Sequence, residues 1–208
     1  MKRNSIRVIL FDFGGVLATE GFREGLYAIA QEHGLDPPAF HQAAFEAVYA
    51  SGYVLGQGTE EDFWHHLKQR TGLHGDENSM RRAILSRFVL RPRMLALVRA
   101  LRKNGYITAI LSDQSDWLDR LDSQFHFFQL FDRVYNSFHL GKGKRDPSTF
   151  DDVVLNLGLA PHEALLVDDD PRNVERARSR GLQALLFQSE DQGVEDLQAM
   201  LDHQILEG

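Results

Sequence analysis

Four short runs rich in β-branched and aliphatic residues, Ile6–Phe11, Ile107–Leu111, Ala164–Val167 and Ala184–Phe187, limit the folds open to this chain more than any other feature. A strand apolar on both sides must be covered on both sides, which suits a parallel sheet packed between helices. Arg133–Asn136 is a weaker fifth candidate. Helical patterns separate the runs. Met94, Leu95, Val98 and Leu101 form one apolar stripe, closed by Asn104-Gly105. Asp146-Pro147 opens another helix, with Asp as N-cap, Pro in the first turn and Phe150, Val153, Val154 and Leu157 as its apolar face, ended by Gly158. Asp170-Pro171 repeats that opening and Gly181 closes the helix. This alternation predicts an α/β protein with a doubly wound parallel sheet, whose ligands bind outside the carboxyl ends of the strands.

From about Thr19 to Val89 the alternation stops. Spaced apolar residues predict helices over Phe22–His33, Pro38–Ala50, Thr59–Arg70 and Ser79–Phe88, and Thr59-Glu-Glu-Asp62 has the form of a capping box. The chain is therefore divided into a sheet-bearing core, residues 1–18 and 90–208, and a small all-helical insertion after the first strand, residues 19–89. Phe45, Tyr49, Phe63 and Trp64 are expected in the core of that insertion, with a substrate-facing role as the alternative. Phe125-His126-Phe127-Phe128 is expected to pack on the sheet, and Glu190–Glu207 to form a final amphipathic helix.

Composition excludes several functions. A net charge of -7 gives no electrostatic footprint for nucleic acid. The absence of cysteine rules out thiolate ligands, disulfides and a cysteine nucleophile. No apolar run approaches the ~20 residues of a membrane helix. Ile6–Phe11 is too short for a signal-peptide apolar region, so a cytoplasmic protein, monomer or homodimer, is expected. The nine histidines show no metal-ligand pattern.

Four points at predicted strand ends carry chemistry. Asp12 follows the first strand and precedes Gly14-Gly15, which sets a carboxylate beside backbone N–H groups. Ser112-Asp113 follows the second strand and offers a hydroxyl to an anion. Gly141-Lys-Gly-Lys144-Arg145-Asp146 brings cations to a helix start, where the partial positive charge also favours anions. Asp168-Asp169-Asp170 follows a further strand; Asp170 serves as an N-cap, and the repulsion between the other two calls for a hard divalent cation, Mg²⁺ in particular. Taken singly, each point also reads as a turn, a cap or a solvated loop. Together they are what phosphoryl transfer needs, because a carboxylate can approach a phosphate dianion only where cations and hydrogen-bond donors offset the repulsion.

In these residues the chain resembles the haloacid dehalogenase superfamily of hydrolases, phosphatase branch, with an inserted helical cap. Asp12 matches the family's nucleophile, Ser112 its second-motif hydroxyl, Lys144 the Lys of its third motif, and Asp168-Asp169 its acidic fourth motif. The resemblance implies a Rossmann-like core. It also implies a Mg²⁺-dependent phosphatase that acts on a small phosphorylated metabolite, such as a sugar phosphate, through an aspartyl-phosphate on Asp12. Mg²⁺ would be held by Asp12, the Gly14 carbonyl, Asp169 and, directly or through water, Asp168. Substrate contacts would come from Phe13, Gly14, Ser112, Asp113 and Lys144. Three departures stand out. Gly14 occupies the place of a second Asp that serves relatives as general acid and base, leaving Glu20, Asp113 and Asp116 as substitutes. Asp113 replaces a usual Asn, and Arg145 a usual Pro. A 2-haloacid dehalogenase is the nearest alternative, although relatives of that kind lack the acidic pair. A weakly active binding protein without the acid at Gly14 is the other.

Overall fold

The structure, a computed structural model, describes residues 6–201. Strands β1 (Val8–Phe11), β2 (Ile107–Ser112), β3 (Arg133–Asn136), β4 (Ala164–Asp168) and β5 (Gln183–Leu186) form one sheet in the order β3-β2-β1-β4-β5. Every neighbouring pair is parallel. The five predicted strands are all present, and the sheet is wound outward from β1 in both directions. Side chains of β1 alternate between faces: Ile9 and Phe11 enter the larger apolar cluster, Val8 and Leu10 the one built with Phe150, Val153 and Val174. β2 and β4 each run one residue past the apolar stretch, so Ser112 and Asp168 end their strands rather than follow them.

Helices α1 (Gly21–Glu32), α2 (Pro37–Ala50), α3 (Glu60–Thr71) and α4 (Glu77–Leu85) occupy the stretch between β1 and the next core helix, α5 (Pro92–Lys103). Local chemistry sets their starts. The side chains of Asp36 and Asp76 accept from Ala39 N and Ser79 N at 2.9 and 2.8 Å, and Thr59 with Asp62 completes the capping box. α1 packs on α2 and α4, and α2 on α3. The α1–α4 crossing is close because Gly25 has no side chain: a Cβ there would lie 2.5 Å from Ile84 Cα. The chain leaves and re-enters the sheet layer side by side, since Thr19 N donates to Val89 O at 3.0 Å and Arg91 N to Leu17 O at 2.8 Å.

Beyond α5 follow α6 (Trp117–Phe125), α7 (Ser137–Leu140), α8 (Ser148–Asn156), α9 (Pro171–Ser179) and α10 (Glu190–Leu201). α10 is the described part of the expected final helix; residues 202–207 of it lie outside the described residues. Two expectations need correction. α8 starts after Pro147, and Asp146 is one residue too early to be its cap residue, although its carboxylate still accepts from Ser148 N at 2.9 Å. The Phe125–Phe128 cluster does not pack as a block: Phe127 is buried and stacks on Phe13 at 4.9 Å, but Phe125 is exposed, because His126 adopts a left-handed conformation that ends α6 and turns the chain.

The helical stretch and the sheet layer meet at an aromatic seam. Trp64 of α3 and Trp117 of α6 have ring centroids 6.2 Å apart, with Phe63 and Tyr53 beside them. Polar contacts flank it. The Tyr53 hydroxyl donates to Asp116, Arg120 pairs with Glu60 at 3.1 Å, and Ser137 Oγ donates to Val54 O at 2.7 Å.

Candidate active site

The carboxyl ends of β1, β2 and β4 converge, as expected of adjacent parallel strands. Asp12 directly follows β1, and its N–H donates to Val167 O of β4 at 2.9 Å, which fixes the backbone from which the carboxylate projects. Asp12 Oδ1 accepts from Ser112 Oγ and from Phe13 N, both at 2.7 Å. Asp12 Oδ2 pairs with Lys144 Nζ at 2.9 Å. Lys144 Nζ also meets Asp168 Oδ2 at 2.5 Å, and Asp168 Oδ1 accepts from Asp170 N at 2.9 Å and from Asn173 Nδ2 at 3.1 Å. Five sequence-predicted side chains, Asp12, Ser112, Lys144, Asp168 and Asp169, thus gather at one rim of the sheet.

Asp12, Asp168 and Asp169 each offer a carboxylate oxygen within 4.8 Å of the others, the one such acidic group among the described residues. With all three carboxylates ionised, one ammonium would leave two negative charges in a largely buried space. Hard oxygen donors with that imbalance fit Mg²⁺. Both oxygens of Asp168 already have protein partners, whereas Asp169 lines the open cavity. Gly15 makes room for Asp169: its φ is +82°, and a Cβ would lie 2.2 Å from Asp169 Oδ2.

The electrostatics follow from crowding. Burial pushes the Asp12 carboxyl up from its ordinary 3.8 to about 8, with Lys144 opposing and Asp168 and Asp169 adding to the rise. Asp169 is raised by burial and then by Asp168. Burial works against the Lys144 ammonium, but Asp12 and Asp168 outweigh it and hold the group protonated above its ordinary range.

A cavity of about 460 Å³ opens over Asp12, Gly14, Ser112, Lys144 and Asp169. Phe13 joins the site only through its backbone, since its ring is fully buried between Phe88 and Phe127. The Asp113 carboxylate accepts from Lys144 N at 2.8 Å and from the Tyr49 hydroxyl at 3.1 Å, so it braces the lysine loop and α2. Asp116 is tied up at the seam with Tyr53 and Arg120. Glu20 faces the cavity, and its Oε1 would lie 2.7 Å from a Cβ built on Gly14, in the space a side chain there would enter. Burial, then Asp169, raises its carboxyl to about 7. Phe45 and Tyr49 line the cavity, whereas Phe63 and Trp64 are buried in the seam. Sequence reasoning missed Thr149, whose hydroxyl donates to Gly143 O at 2.7 Å and holds the lysine loop; a Thr in the first turn of the following helix was the available signal.

Comparison with known proteins bears on the family and the fold. The profile of the haloacid dehalogenase-like hydrolases matches residues 6–181. Mouse bifunctional epoxide hydrolase 2 is 24% identical over 98% of the chain, which spans 40% of that protein's length. A phosphoserine phosphatase of Thermus thermophilus is 27% identical over 86% of the chain and 80% of its own length. Among solved structures, a predicted HAD-like family hydrolase of Porphyromonas gingivalis superposes with a TM-score of 0.73 at 24% identity, covering 96% of this chain and all of that one, 100%. A HAD family enzyme of Bacteroides thetaiotaomicron in complex with magnesium and inorganic phosphate gives 0.63 at 21% identity, over 88% and 94% of the two chains. L-2-haloacid dehalogenase from Xanthobacter autotrophicus gives 0.64 at 20% identity, over 97% and 85%.

Proposed function

The chain belongs to the haloacid dehalogenase-like hydrolases, and from that premise we propose that it is a Mg²⁺-dependent phosphatase of a small phosphorylated metabolite, with Asp12 as nucleophile. The observation that carries this reading is the convergence of Asp12, Lys144 and the Asp168-Asp169 pair below one cavity. Carbon–halogen hydrolysis by an Asp nucleophile calls for no metal ion, and so gives no reason to set the buried Asp168 and the half-buried Asp169 beside Asp12. Similarity to a phosphoserine phosphatase and to an enzyme crystallised with magnesium and phosphate points the same way.

Asp12, the Gly14 carbonyl and Asp169 would hold the cation, with Asp168 behind them. The bound ion would supply neutralising charge to the phosphate oxygens. The chain's own residues do the rest. A carboxylate oxygen of Asp12 attacks phosphorus, the P–O bond to the leaving group breaks, and an aspartyl-phosphate forms. Lys144 steadies Asp12 and offsets charge on the transferring group, and the Ser112 hydroxyl turns from Asp12 to a phosphate oxygen. Glu20 gives its proton to the departing oxygen, then takes one from the water that attacks phosphorus and breaks the acyl-phosphate bond. Residues 19–89 act as a cap that bounds the substrate. A cytoplasmic site of action belongs to the same reading, since charged phosphate esters are internal solutes.

The test is phosphate release from p-nitrophenyl phosphate and a panel of phosphorylated metabolites with Mg²⁺, for the parent and Asp12→Asn. The expected loss in the variant is on the order of 10³-fold or more. Equal activity in both proteins removes Asp12 from the reaction, and halide release from a 2-haloacid without phosphate release installs the dehalogenase reading.

A further inference from the structure

Arg145 follows Lys144 in the chain and serves a different part of the cavity. Lys144 points into the buried cluster. The Arg145 guanidinium carbon lies 3.6 Å from the ring centroid of Tyr49 and 4.3 Å from that of Phe45, both on α2. It lines the cavity and makes no ion pair among the described residues, in a chain with 30 acidic residues and 23 Lys and Arg. Nearby carboxylates are otherwise engaged: Asp113 by Lys144 N and the Tyr49 hydroxyl, Asp170 by Arg172. Arg23 of α1 lines the same cavity, also without an ion pair.

A guanidinium held over the Tyr49 ring, with the Phe45 ring set at 70° to it, is restrained by its aromatic contacts, which leaves N–H donors to receive a carboxylate or phosphate. The phosphoryl end of the cavity already has Lys144. Cationic charge at the α2 side is therefore surplus to phosphate binding and suited to a different part of the substrate. We propose that Arg145 selects phosphomonoesters whose leaving group carries a second anionic group, a carboxylate or another phosphate, with Arg23 adding to the field. This rests on the phosphatase reading above.

The test measures binding by calorimetry to the Asp12→Asn protein with Mg²⁺, so that turnover does not intervene. Probes are phosphoglycerate, glycerol phosphate, which has an alcohol in place of the carboxylate, and glycerol bisphosphate, which has a second phosphate and no carboxylate. Phosphoglycerate is expected to bind about 10- to 100-fold tighter than glycerol phosphate, the range of a charge-assisted hydrogen bond. Arg145→Met should abolish that preference and Arg145→Lys should retain part of it. A purely structural role for the arginine would weaken both esters alike and leave their ratio unchanged. Equal affinity for the two esters in the Arg145 protein, or an unchanged ratio in Arg145→Met, overturns the inference. Tighter binding of glycerol bisphosphate than of phosphoglycerate assigns the second group as phosphate, and weaker binding assigns it as carboxylate. If the parent hydrolyses none of the probes nor p-nitrophenyl phosphate while the Arg145-dependent preference persists, the phosphatase reading fails and the anion site stands.

Discussion

Replacing Lys144 by Met removes one ammonium and strands two carboxylates. The lysine side chain is 1% exposed, and its partners Asp12 and Asp168 are 13% and 0% exposed. Solvent therefore cannot take over the lost pairing. Breaking a buried ion pair from one side costs about 3–5 kcal/mol, a large share of the ~5–15 kcal/mol that holds a domain together. For a chain of this size that corresponds to a fall in Tm of about 6–20 °C. The pH dependence has a definite sign. The Asp12 carboxyl is raised in the folded protein from 3.8 to about 8 although Lys144 opposes the rise. Without the lysine it rises further, so the folded state holds a proton that the unfolded state has released. The parent releases that proton near pH 8 and Lys144→Met only above it, so the Asp12 part of the deficit is constant below about 8 and grows as pH climbs beyond it. Mg²⁺, which neutralises the same carboxylates, should recover part of the loss. Calorimetric or circular-dichroism melts across pH, with chelator and with Mg²⁺, measure all three effects. A variant that melts within about 2 °C of the parent at neutral pH, against the shift expected from a buried pair, refutes the idea that Lys144 balances a buried acidic cluster.

Two further perturbations address neighbouring parts of the site. Glu20→Gln should slow turnover by about 10²–10⁴-fold, the usual worth of a positioned proton donor. The parent's rate should fall as pH rises through about 7, where Glu20 loses its proton, and the variant should lack that limb in a pH–rate profile. Gly15→Ala forces a side chain into left-handed backbone and against Asp169; it should cost about 1–2 kcal/mol from the backbone alone, and titration calorimetry should show weaker Mg²⁺ binding than in the parent.

Much of this was readable before any coordinates. Apolar runs marked four strands, because a strand buried on both faces has no freedom to be polar; the edge strand Arg133–Asn136, with Arg133 exposed, showed only weakly. The helix caps Asp170 and Thr59 lie at helix starts that the sequence marks. The gathering of Asp12, Ser112 and Asp168 followed from strand ends, since a parallel sheet brings its carboxyl ends to one side, whereas Lys144 reaches them from the loop between α7 and α8. What escaped was set by contacts between distant segments. Nothing in the sequence says that Glu20 folds back over Gly14, that Asp113 turns to the Lys144 N–H and Tyr49, or that Arg145 lies on the rings of α2. α6 escaped because Trp117, Leu118 and Leu121 make a stripe of little more than one turn, and α7 because four residues carry no period at all.

The chain contains two tryptophans. One belongs to α3 and the other to α6, and their rings face each other across the seam where the helical stretch meets the sheet layer. The protein's entire indole emission therefore originates at that junction. Any swing of α3 away from α6 would change the quantum yield and wavelength of both fluorophores at once, so stopped-flow optics could time the movement with no attached label.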